Sequence, residues 1–454
     1  MGASKNRPNI VLIITDHFRP DAVGRSTPRL LQLADRGAIF EHAYTTSPLC
    51  QPARASIITG FYPSQHGICG NMAEPLDGRQ RADTFMSHLQ NAGYHTALVG
   101  RHHYIDGYGL DMDFTRHHDE VMKFGFDYVH QVLNPYEHKY NECQFTKHLR
   151  EEGLYKEYIK ALDHMGEGYP FPEEYYEDAY IGGKAREFVE NYSEESPFYL
   201  NIGFSGPHPP FWHPGQQHQP SDVPAPIDGP DSEGLRKRRA DYMDKCALLD
   251  KYVGEIMDTL EEQGILENTV IIFTSDHGDN LGDHGIWDKR YFYEQSAGIP
   301  LIMTGPGVIR GARGLRGKDS KQLVSHLDIY PTILSLAGTL DSAQQQRPGR
   351  DLLAILRDER GASREAVFSE ISTAVMIRTA NWKMVFDPEQ GGVQNLYNLR
   401  TDSREEKNLA GDPAYDSVIA DLTKRMLSNR ILLHQYTHDK EEHRLQHVRV
   451  PRPE

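Results

Sequence analysis

The stretch NIVLIITD, residues 9–16, decides the fold class of this chain, because it is an unbroken aliphatic run that ends in an acid. Such a run is typical of a strand buried on both faces of a parallel sheet. Four further runs have the same character: YHTALVG (94–100), PFYLNIGFSG (197–206), NTVIIFTSD (268–276) and IPLIMTG (299–305). Residues 236–264 have apolar side chains at helical spacing and end in glycine, which predicts a helix. The alternation predicts an α/β fold with a large, mainly parallel sheet flanked by helices on both faces.

Length and composition predict a large globular domain with a smaller one beside it. The chain has 454 residues, of which 38% are hydrophobic and 25% charged, so it can bury a sizeable core. After about residue 365 the pattern changes to short strands with tight turns, in residues 366–388 and 394–402. We therefore expect a main α/β domain over residues 1–365. Residues 366–454 should form a small antiparallel-sheet subdomain with a polar, histidine-rich tail.

Charge and cysteine usage exclude several classes of protein. The formal net charge of -16 argues against binding nucleic acid or an anionic membrane through the whole surface. The apolar run within residues 1–16 is too short for a signal peptide or a membrane span, so we expect a cytoplasmic protein with no membrane partner. The four cysteines are too few and too scattered for a disulfide scaffold or a CxxC metal site. Cys246, on the predicted helix, is interpreted as a core residue.

Charged and imidazole side chains follow four of the predicted strands. In order, they are Asp16 and His17, Arg101 and His103, His208, and Asp276 and His277. Ligands bind at the carboxyl ends of the strands in open parallel sheets, so these side chains should share one site. Each signal alone has a plain alternative: a loop cap, a solvated turn, a rigid proline loop or, for Lys289, a surface lysine. Two Asp-His pairs together favour a metal site, because buried carboxylates are costly unless they are paired or bind a metal.

The segment SPLCQPARASIITG, residues 47–60, carries the resemblance to a known family. Its Cys50, Pro52 and Arg54 match the C-x-P-x-R core of the sulfatase family, and the likeness extends through ASIITG. Further segments resemble family motifs along nearly the whole chain: NIVLIITDHFRPDAVG (9–24), GRHH (100–103), TSDHGDNLGDHGIWDK (274–289), VSHLDIYPTILSLAG (324–338) and LYNLRTDSREEKNLAGDP (396–413). The resemblance implies an alkaline-phosphatase-like α/β sandwich.

The resemblance also implies that Cys50 becomes the nucleophile after modification. In the sulfatase family a formylglycine-generating maturation enzyme oxidises this cysteine to an aldehyde. The hydrate of that aldehyde offers one hydroxyl for attack and a second whose collapse releases sulfate. The position of Cys50 before a predicted helix, residues 53–60, favours an anionic centre. The alternative for this residue is a buried structural thiol.

The other expected site residues follow from the same resemblance. Arg54 would neutralise and orient the nucleophile, and Asn71 would contact substrate. The implied ligands of one divalent metal ion are Asp16, His17, Cys50, Asp276 and His277. Because a sulfate ester gathers negative charge in the transition state, cationic groups should surround it. The implied sulfate-binding residues are Arg101, His103, His208 and Lys289, with His208 as general acid and His103 as general base.

Three positions depart from the usual family pattern. His17 stands where Asp or Gln is usual, His277 where many members have Asn, and Arg101 where Lys is usual. Arginine keeps the charge but presents a planar fork, which changes the geometry of the sulfate clamp. Calcium prefers oxygen ligands, whereas imidazole suits manganese or zinc. Calcium and manganese are therefore equal candidates for the metal.

These observations predict hydrolysis of a sulfate ester, with two rival functions. The first is a phosphonate monoester or phosphodiester hydrolase with the same nucleophile, although those relatives lack the basic-x-histidine segment that residues 101–103 preserve. The second is a non-catalytic binding protein on the same fold, which would be expected to have lost part of the charged cluster. An alkaline-phosphatase-type phosphomonoesterase would instead use an unmodified Ser or Thr and two metal ions.

The organic half of the substrate stays open between a small molecule and a saccharide. Specificity should come from a long loop rich in Pro, Gly and His (205–231), from an aromatic and acidic stretch (169–183) and from residues 104–150. The C-terminal tail could serve as an exchange arm in a homo-oligomer.

Overall fold

A computed structural model describes residues 7–438 apart from 73–75, 106–112, 117, 165–167, 216, 309–321, 342–343, 358 and 360. The strands are β1 (Asn9–Asp16), β2 (Ala38–Ile39), β3 (His42–Tyr44), β4 (His95–Gly100), β5 (Tyr128–Gln131), β6 (Phe198–Pro207), β7 (Thr269–Ser275), β8 (Leu301–Thr304), β9 (Leu323–Ser325), β10 (Ala366–Ile371), β11 (Ala374–Thr379), β12 (Trp382–Asp387) and β13 (Gly392–Asn398). The α-helices are α1 (Pro28–Arg36), α2 (Cys50–Thr59), α3 (Pro63–His66), α4 (Gly78–Ala82), α5 (Phe85–Asn91), α6 (His118–Met122), α7 (Gln144–Glu151), α8 (Tyr155–Ala161), α9 (Glu177–Asn191), α10 (Glu233–Glu262), α11 (Glu294–Ala297), α12 (Ile329–Leu336), α13 (Leu352–Leu356) and α14 (Asp416–His438).

A seven-stranded sheet forms the centre of the molecule, in the order β2-β8-β7-β1-β6-β4-β5. β7, β1, β6, β4 and β5 run parallel, while β8 runs antiparallel to both of its neighbours. All five predicted strands belong to this sheet. The prediction of a large, mainly parallel sheet is therefore confirmed.

The central strand β1 is buried on both faces, which explains its aliphatic sequence. Val11 and Ile13 belong to a core that includes side chains of α1, α9 and α10. Ile10, Leu12 and Ile14 belong to a second core with α2, α5 and α12. Successive side chains of a strand point to opposite faces, so the single run packs against two helical layers. The result is the predicted α/β sandwich.

The predicted long helix is α10. Ser232 caps its first turn by accepting a hydrogen bond from the backbone N–H of Leu235 at 3.2 Å. Gly264, just beyond its end, has a φ of 69°, the left-handed conformation that commonly terminates helices. Cys246 is fully buried in the core, as predicted.

A four-stranded antiparallel sheet, β10-β11-β12-β13, forms the C-terminal part, as predicted. On one face Ile377 and Met384 pack with Leu422 of α14, a helix that the sequence reading did not predict. On the other face Met376 packs with Phe292 of the main body. The sheet is thus enclosed between its own helix and the larger α/β unit. The polar tail proposed as an exchange arm comprises residues 434–454; residues 434–438 form the end of α14, and residues 439–454 lie outside the described residues.

The long loop predicted over residues 205–231 is present after β6, but it begins three residues later than predicted. β6 extends to Pro207, and within residues 208–231 the structure describes only a short 3₁₀ turn, Pro220–Asp222, as a regular element. In the described part of the chain, no helix is both long enough and apolar enough to span a membrane.

Candidate active site

The four polar clusters lie at the same edge of the central sheet. β1 ends at Asp16, which pairs in register with Pro207 at the end of β6. β7 ends at Ser275, opposite Thr15 of β1, and β4 ends directly before Arg101. Because these strands are parallel, their carboxyl ends open into one crevice. The structure thus brings the clusters together in one place.

Cys50 is the first residue of α2 and lies among these side chains. Its Sγ accepts a hydrogen bond from Lys289 Nζ at 2.9 Å, and it lies 3.3 Å from His277 Nε2 and 3.6 Å from Asp16 Oδ1. Every residue of α2 is buried, so the helix is held on all sides. The helix begins at Cys50 rather than at residue 53, which places its positive N-terminal end at the thiol itself.

Asn71 supports the start of this helix. Its Oδ1 accepts a hydrogen bond at 3.0 Å from the backbone N–H of Gln51, the residue that follows Cys50. The first N–H groups of a helix have no partner within the helix, so the asparagine satisfies one of them. The structure therefore places Asn71 next to the expected nucleophile. Its contact with substrate stays a prediction.

Four buried side chains offer metal ligands around one point. Their donor atoms lie within 4.8 Å of one another, and they belong to Asp16, His17, Cys50 and His277. His277 Nδ1 donates to the carbonyl of Gly278 at 2.8 Å, so Nε2 is the ring nitrogen left to bind a metal ion once it is deprotonated. His17 Nδ1 lies 2.7 Å from Asp279 Oδ2, which leaves Nε2 of His17 for the same use. This mixed donor set fits one divalent metal ion.

Asp276, the remaining expected ligand, lies beside this group. Its Oδ1 is 3.6 Å from His277 Nε2, while its Oδ2 accepts a hydrogen bond from Arg54 Nε at 2.9 Å. Arg54 is buried, and its Nη2 lies 3.5 Å from Asp16 Oδ2. Arg54 therefore bridges the aspartates at the ends of β1 and β7. The sequence reading assigned it to the nucleophile, and the structure places it on these two carboxylates.

Two further cations complete the crevice. Arg101 Nη1 lies 3.0 Å from Asp16 Oδ2, and Lys289 Nζ lies 3.0 Å from His17 Nε2. Both side chains are almost fully buried. The two cations are fixed donors at this edge of the sheet and could bind an anionic group.

The mutual charges shift the proton equilibria of Cys50 and His277. Burial and Asp16 raise the pKa of the Cys50 thiol, but Lys289 and His277 outweigh them and lower it to about 6. Burial lowers the pKa of His277, but Asp276 and Cys50 raise it to about 9. Without a metal ion, the pair is therefore favoured near neutral pH as thiolate and imidazolium, and a metal ion bound at Nε2 would displace the proton there.

His208 and His103, the expected general acid and general base, lie on different loops, after β6 and after β4 respectively. The ring of His208 packs edge-on against His17, with centroids 4.6 Å apart, and its Nδ1 donates to the carbonyl of Pro209. Burial lowers the pKa of His208. His103 lies in the loop after β4, is half-buried, and has a left-handed backbone with a φ of 57°.

Sequence reasoning missed the role of Asp279. This carboxylate is buried, and it holds His17 through Oδ2 while Oδ1 accepts a hydrogen bond from the backbone N–H of Leu281 at 2.8 Å. Burial raises the pKa of Asp279 to about 6. The available signal was the second acid in SDHGD (275–279), which follows a strand end closely enough to fold back onto β1.

Comparisons with known proteins agree with this geometry. The sulfatase family model matches residues 8–339, and the model for the C-terminal part of N-sulphoglucosamine sulphohydrolase matches residues 282–431. A choline-sulfatase of Rhizobium meliloti is 31% identical, covering 90% of this chain and 83% of the relative. An arylsulfatase of Clostridium perfringens is 26% identical, covering 93% and 94%. The crystal structure of phosphonate monoester hydrolase from Agrobacterium radiobacter superposes with a TM-score of 0.77 at 26% identity, covering 95% and 96%.

The family match extends over most of the chain, and the structural match extends over almost all of it. The matched region includes both Asp-His pairs, the helix that begins at Cys50 and the loop that carries Lys289. The chain therefore belongs to the sulfatase family, the sulfuric ester hydrolases of the alkaline-phosphatase-like superfamily.

Proposed function

We propose that the protein hydrolyses a sulfate ester to an alcohol and sulfate, with formylglycine made from Cys50 as nucleophile and one divalent metal ion as cofactor. The environment of Cys50 carries the proposal: Sγ lies within 3.6 Å of Lys289, His277 and Asp16. A structural thiol gains nothing from three buried charged neighbours, which are costly to desolvate. Cys246 provides the contrast, since it lies in a hydrophobic core.

Each proposed group has a distinct chemical task. Hydrated formylglycine would supply one hydroxyl to attack sulfur and a second to expel sulfate, and the metal ion would lower the pKa of the attacking hydroxyl. Lys289, whose Nζ lies 2.9 Å from the present Sγ, would donate to the nucleophile oxygen or to a sulfate oxygen. Arg101 adds a second fixed donor for the charge that develops on the sulfate oxygens. Arg54 keeps the carboxylates of Asp16 and Asp276 in place.

Two histidines would transfer protons. With Nδ1 of His208 bound to the carbonyl of Pro209, its Nε2 is the atom that exchanges a proton. We assign His208 as the general acid, which gives this proton to the leaving oxygen as the sulfur–oxygen bond breaks. His103 is assigned as the base that removes the proton from the second hydroxyl. The negative charge of bound sulfate would raise the pKa of His208, opposing the effect of burial.

The proposed metal ligands are Asp16, His17, residue 50, Asp276 and His277. Two imidazole nitrogens among carboxylate oxygens favour manganese, while the carboxylates also accept calcium. Both ions are therefore retained as candidates.

A second candidate function is hydrolysis of phosphonate monoesters or phosphodiesters. The high structural similarity to a phosphonate monoester hydrolase supports it, because the same nucleophile and metal site could serve either ester. The pair Arg101 and His103 favours sulfate, because it preserves the basic-x-histidine segment of the sulfatases.

The substrate is proposed to be a small-molecule or saccharide sulfate ester. The choline-sulfatase relative supports the first, and the match to the N-sulphoglucosamine sulphohydrolase model supports the second. A formylglycine-generating enzyme would be the maturation partner. A homo-oligomeric state and a cytoplasmic location stay predictions.

A substrate panel tests the proposed function. Protein co-produced with a formylglycine-generating enzyme would be assayed with aryl sulfate, choline sulfate, sulfated sugars, a phosphonate monoester and a phosphodiester. We expect kcat/KM to be highest for a sulfate ester. Cys50→Ala should abolish that activity, whereas Cys69→Ala, which changes an exposed cysteine, should leave it within about twofold. Higher kcat/KM for the phosphonate or phosphodiester would establish the second candidate, and equal loss in both variants would contradict the assignment of Cys50.

A further inference from the structure

Lys245 of α10 lies directly beneath the loop that carries His208. Its Nζ donates to the carbonyl of His208 at 2.7 Å and to the carbonyl of Pro210 at 3.1 Å. The lysine is only 2% exposed. Burying an ammonium group is costly, so a lysine in this position requires compensating contacts.

The two carbonyls that Lys245 binds lie on either side of Pro209. The carbonyl between them, that of Pro209, accepts the hydrogen bond from His208 Nδ1. Lys245 therefore fixes the peptide groups that flank the acceptor of the histidine ring. Because the Nδ1–H bond sets the orientation of the ring and the atom that exchanges protons, the lysine acts on Nε2 without touching it.

An acidic pair at the start of α9 balances the buried lysine. Asp178 Oδ1 accepts hydrogen bonds from the backbone N–H groups of Ser205 at 2.8 Å and Gly206 at 3.2 Å. A Cβ on Gly206 would lie 2.5 Å from Asp178 Oδ2 and 3.5 Å from Lys245 Cε, so both side chains lie against this glycine. Burial lowers the pKa of Lys245, and Asp178 and Glu177 counteract that effect. Asp178 thus holds the end of β6, Lys245 holds the loop that follows it, and the acidic charge favours the buried ammonium group.

We propose that Lys245, supported by Asp178, is the positioning residue of His208: it holds the loop at residues 208–210 so that His208 Nε2 faces the leaving oxygen. The inference rests on the proposed sulfatase function, in which His208 donates its proton to that oxygen. A proton donor matters most for a leaving group that is a strong base, and little for one that departs readily as an anion. Loss of positioning should therefore depend on the leaving group.

The test compares two sulfate esters in three proteins. Lys245→Met removes the charge and keeps the length of the side chain, and Lys251→Met makes the same change at an exposed position of the same helix. For phenyl sulfate we expect Lys245→Met to lower kcat/KM by about 10- to 100-fold. For 4-nitrophenyl sulfate, whose phenolate leaves without a proton, the loss should be less than about threefold. Lys251→Met should change neither value.

Combining the change with His208→Ala separates positioning from general damage. We expect Lys245→Met to add no further loss for phenyl sulfate once His208 is absent. Equal losses for both esters, or losses that multiply in the double variant, would overturn the proposal. If Lys245→Met does not fold, Asp178→Asn serves instead, because its amide oxygen can still accept the hydrogen bonds from residues 205 and 206. Asp178→Asn should show the same dependence on the leaving group. Equal losses for both esters would again overturn the proposal.

A structural readout keeps this inference distinct from the proposed function. Absence of turnover with every sulfate ester in the unsubstituted protein would contradict the proposed function. A crystal structure of Lys245→Met, or of Asp178→Asn if the former does not fold, would still test the inference. We expect loss of the hydrogen bond between His208 Nδ1 and the carbonyl of Pro209. An unchanged ring and loop would show that Lys245 does not position His208.

Discussion

The chain carries the same Asp-His pair twice, at the ends of β1 and β7, and the two aspartates lie in opposite electrostatic surroundings. Burial raises the pKa of Asp16, but Arg101 and further cations outweigh it and hold that pKa well below its usual range. For Asp276, burial and the neighbouring Asp16 together raise the pKa, despite the contact with Arg54. Asp16 therefore stays ionised over the usual pH range. Asp276 is the weaker acid of the two, and its carboxylate is paired with Arg54.

The pKa values of the two histidines, His17 and His277, are shifted in opposite directions. Burial and Lys289 lower the pKa of His17, which favours the neutral imidazole. The pKa of His277 rises to about 9 because Asp276 and Cys50 outweigh burial. In the metal-free protein an identical dipeptide thus provides a charged aspartate with a neutral histidine at the end of β1, and a weaker acid with a charged histidine after β7. The position of each pair relative to Cys50 and the cations sets its chemistry, which its sequence does not reveal.

The largest difference should appear between Asp16→Asn and Asp276→Asn. Asp16 lies 3.0 Å from Arg101 and 3.6 Å from Cys50, so its loss removes a metal ligand and leaves buried cations uncompensated. We expect kcat/KM for a sulfate ester to fall by about 10³-fold or more in Asp16→Asn, and by about 10²-fold in Asp276→Asn. Steady-state kinetics of the two variants gives both values. Equal losses would show that the two aspartates are equivalent.

The next effect concerns the support of His17. Asp279 binds Nδ1 of His17, and loss of such an outer partner of a metal ligand typically costs 10- to 100-fold in affinity, so we expect about that loss of manganese affinity in Asp279→Asn. Isothermal titration of chelator-treated protein measures it. His277 uses the backbone carbonyl of Gly278 instead, so no side-chain substitution has the same effect there. Unchanged affinity in Asp279→Asn would remove His17 from the ligand set.

A smaller effect should distinguish His277 from His17 in protein whose Cys50 has not been converted to formylglycine. The two histidines should differ in their influence on the pKa of the thiol. Cys50 with a pKa of about 6 should be mostly thiolate at pH 7 and protonate as the pH falls through 6. His277→Asn removes one of the two groups that lower this pKa and should raise it towards the usual value of about 8.5. His17→Asn should leave it close to 6. Each titration is followed by the ultraviolet absorbance of the thiolate in chelator-treated protein, with Cys50→Ala as the reference. Equal midpoints in the two histidine variants would contradict the claim that His277, and not His17, lowers the pKa of Cys50.

The sequence predicted the scaffold well because its signals are local. An aliphatic run such as residues 10–14 can pack both of its faces against apolar side chains only in a central strand of a sheet. The polar residues that follow it must then lie at the edge of the sheet. The helix that carries Arg54 was likewise predicted, but its start was placed at residue 53, and the structure shows that it begins at Cys50.

The missed features depend on contacts between distant segments. Asp279 acts through His17, and Lys245 acts through His208, a pairing that requires the end of β6 to meet α10. In the sequence Lys245 is one basic residue in a highly charged helix, with no mark that separates it from Lys251. Arg54 similarly contacts Asp16 at the end of β1 and Asp276 after β7, and the motif around Cys50 does not indicate these partners.

The central claim is that residue 50 acts as formylglycine, and the mass of the tryptic peptide of residues 37–54 tests it most directly. Conversion of the cysteine replaces sulfur by oxygen with loss of two hydrogens, which lowers the peptide mass by about 18 Da. Preparations with different degrees of conversion, obtained with and without the maturation enzyme, should show sulfatase activity in proportion to the converted fraction. Full activity in protein whose peptide contains only unmodified Cys50 would contradict the account.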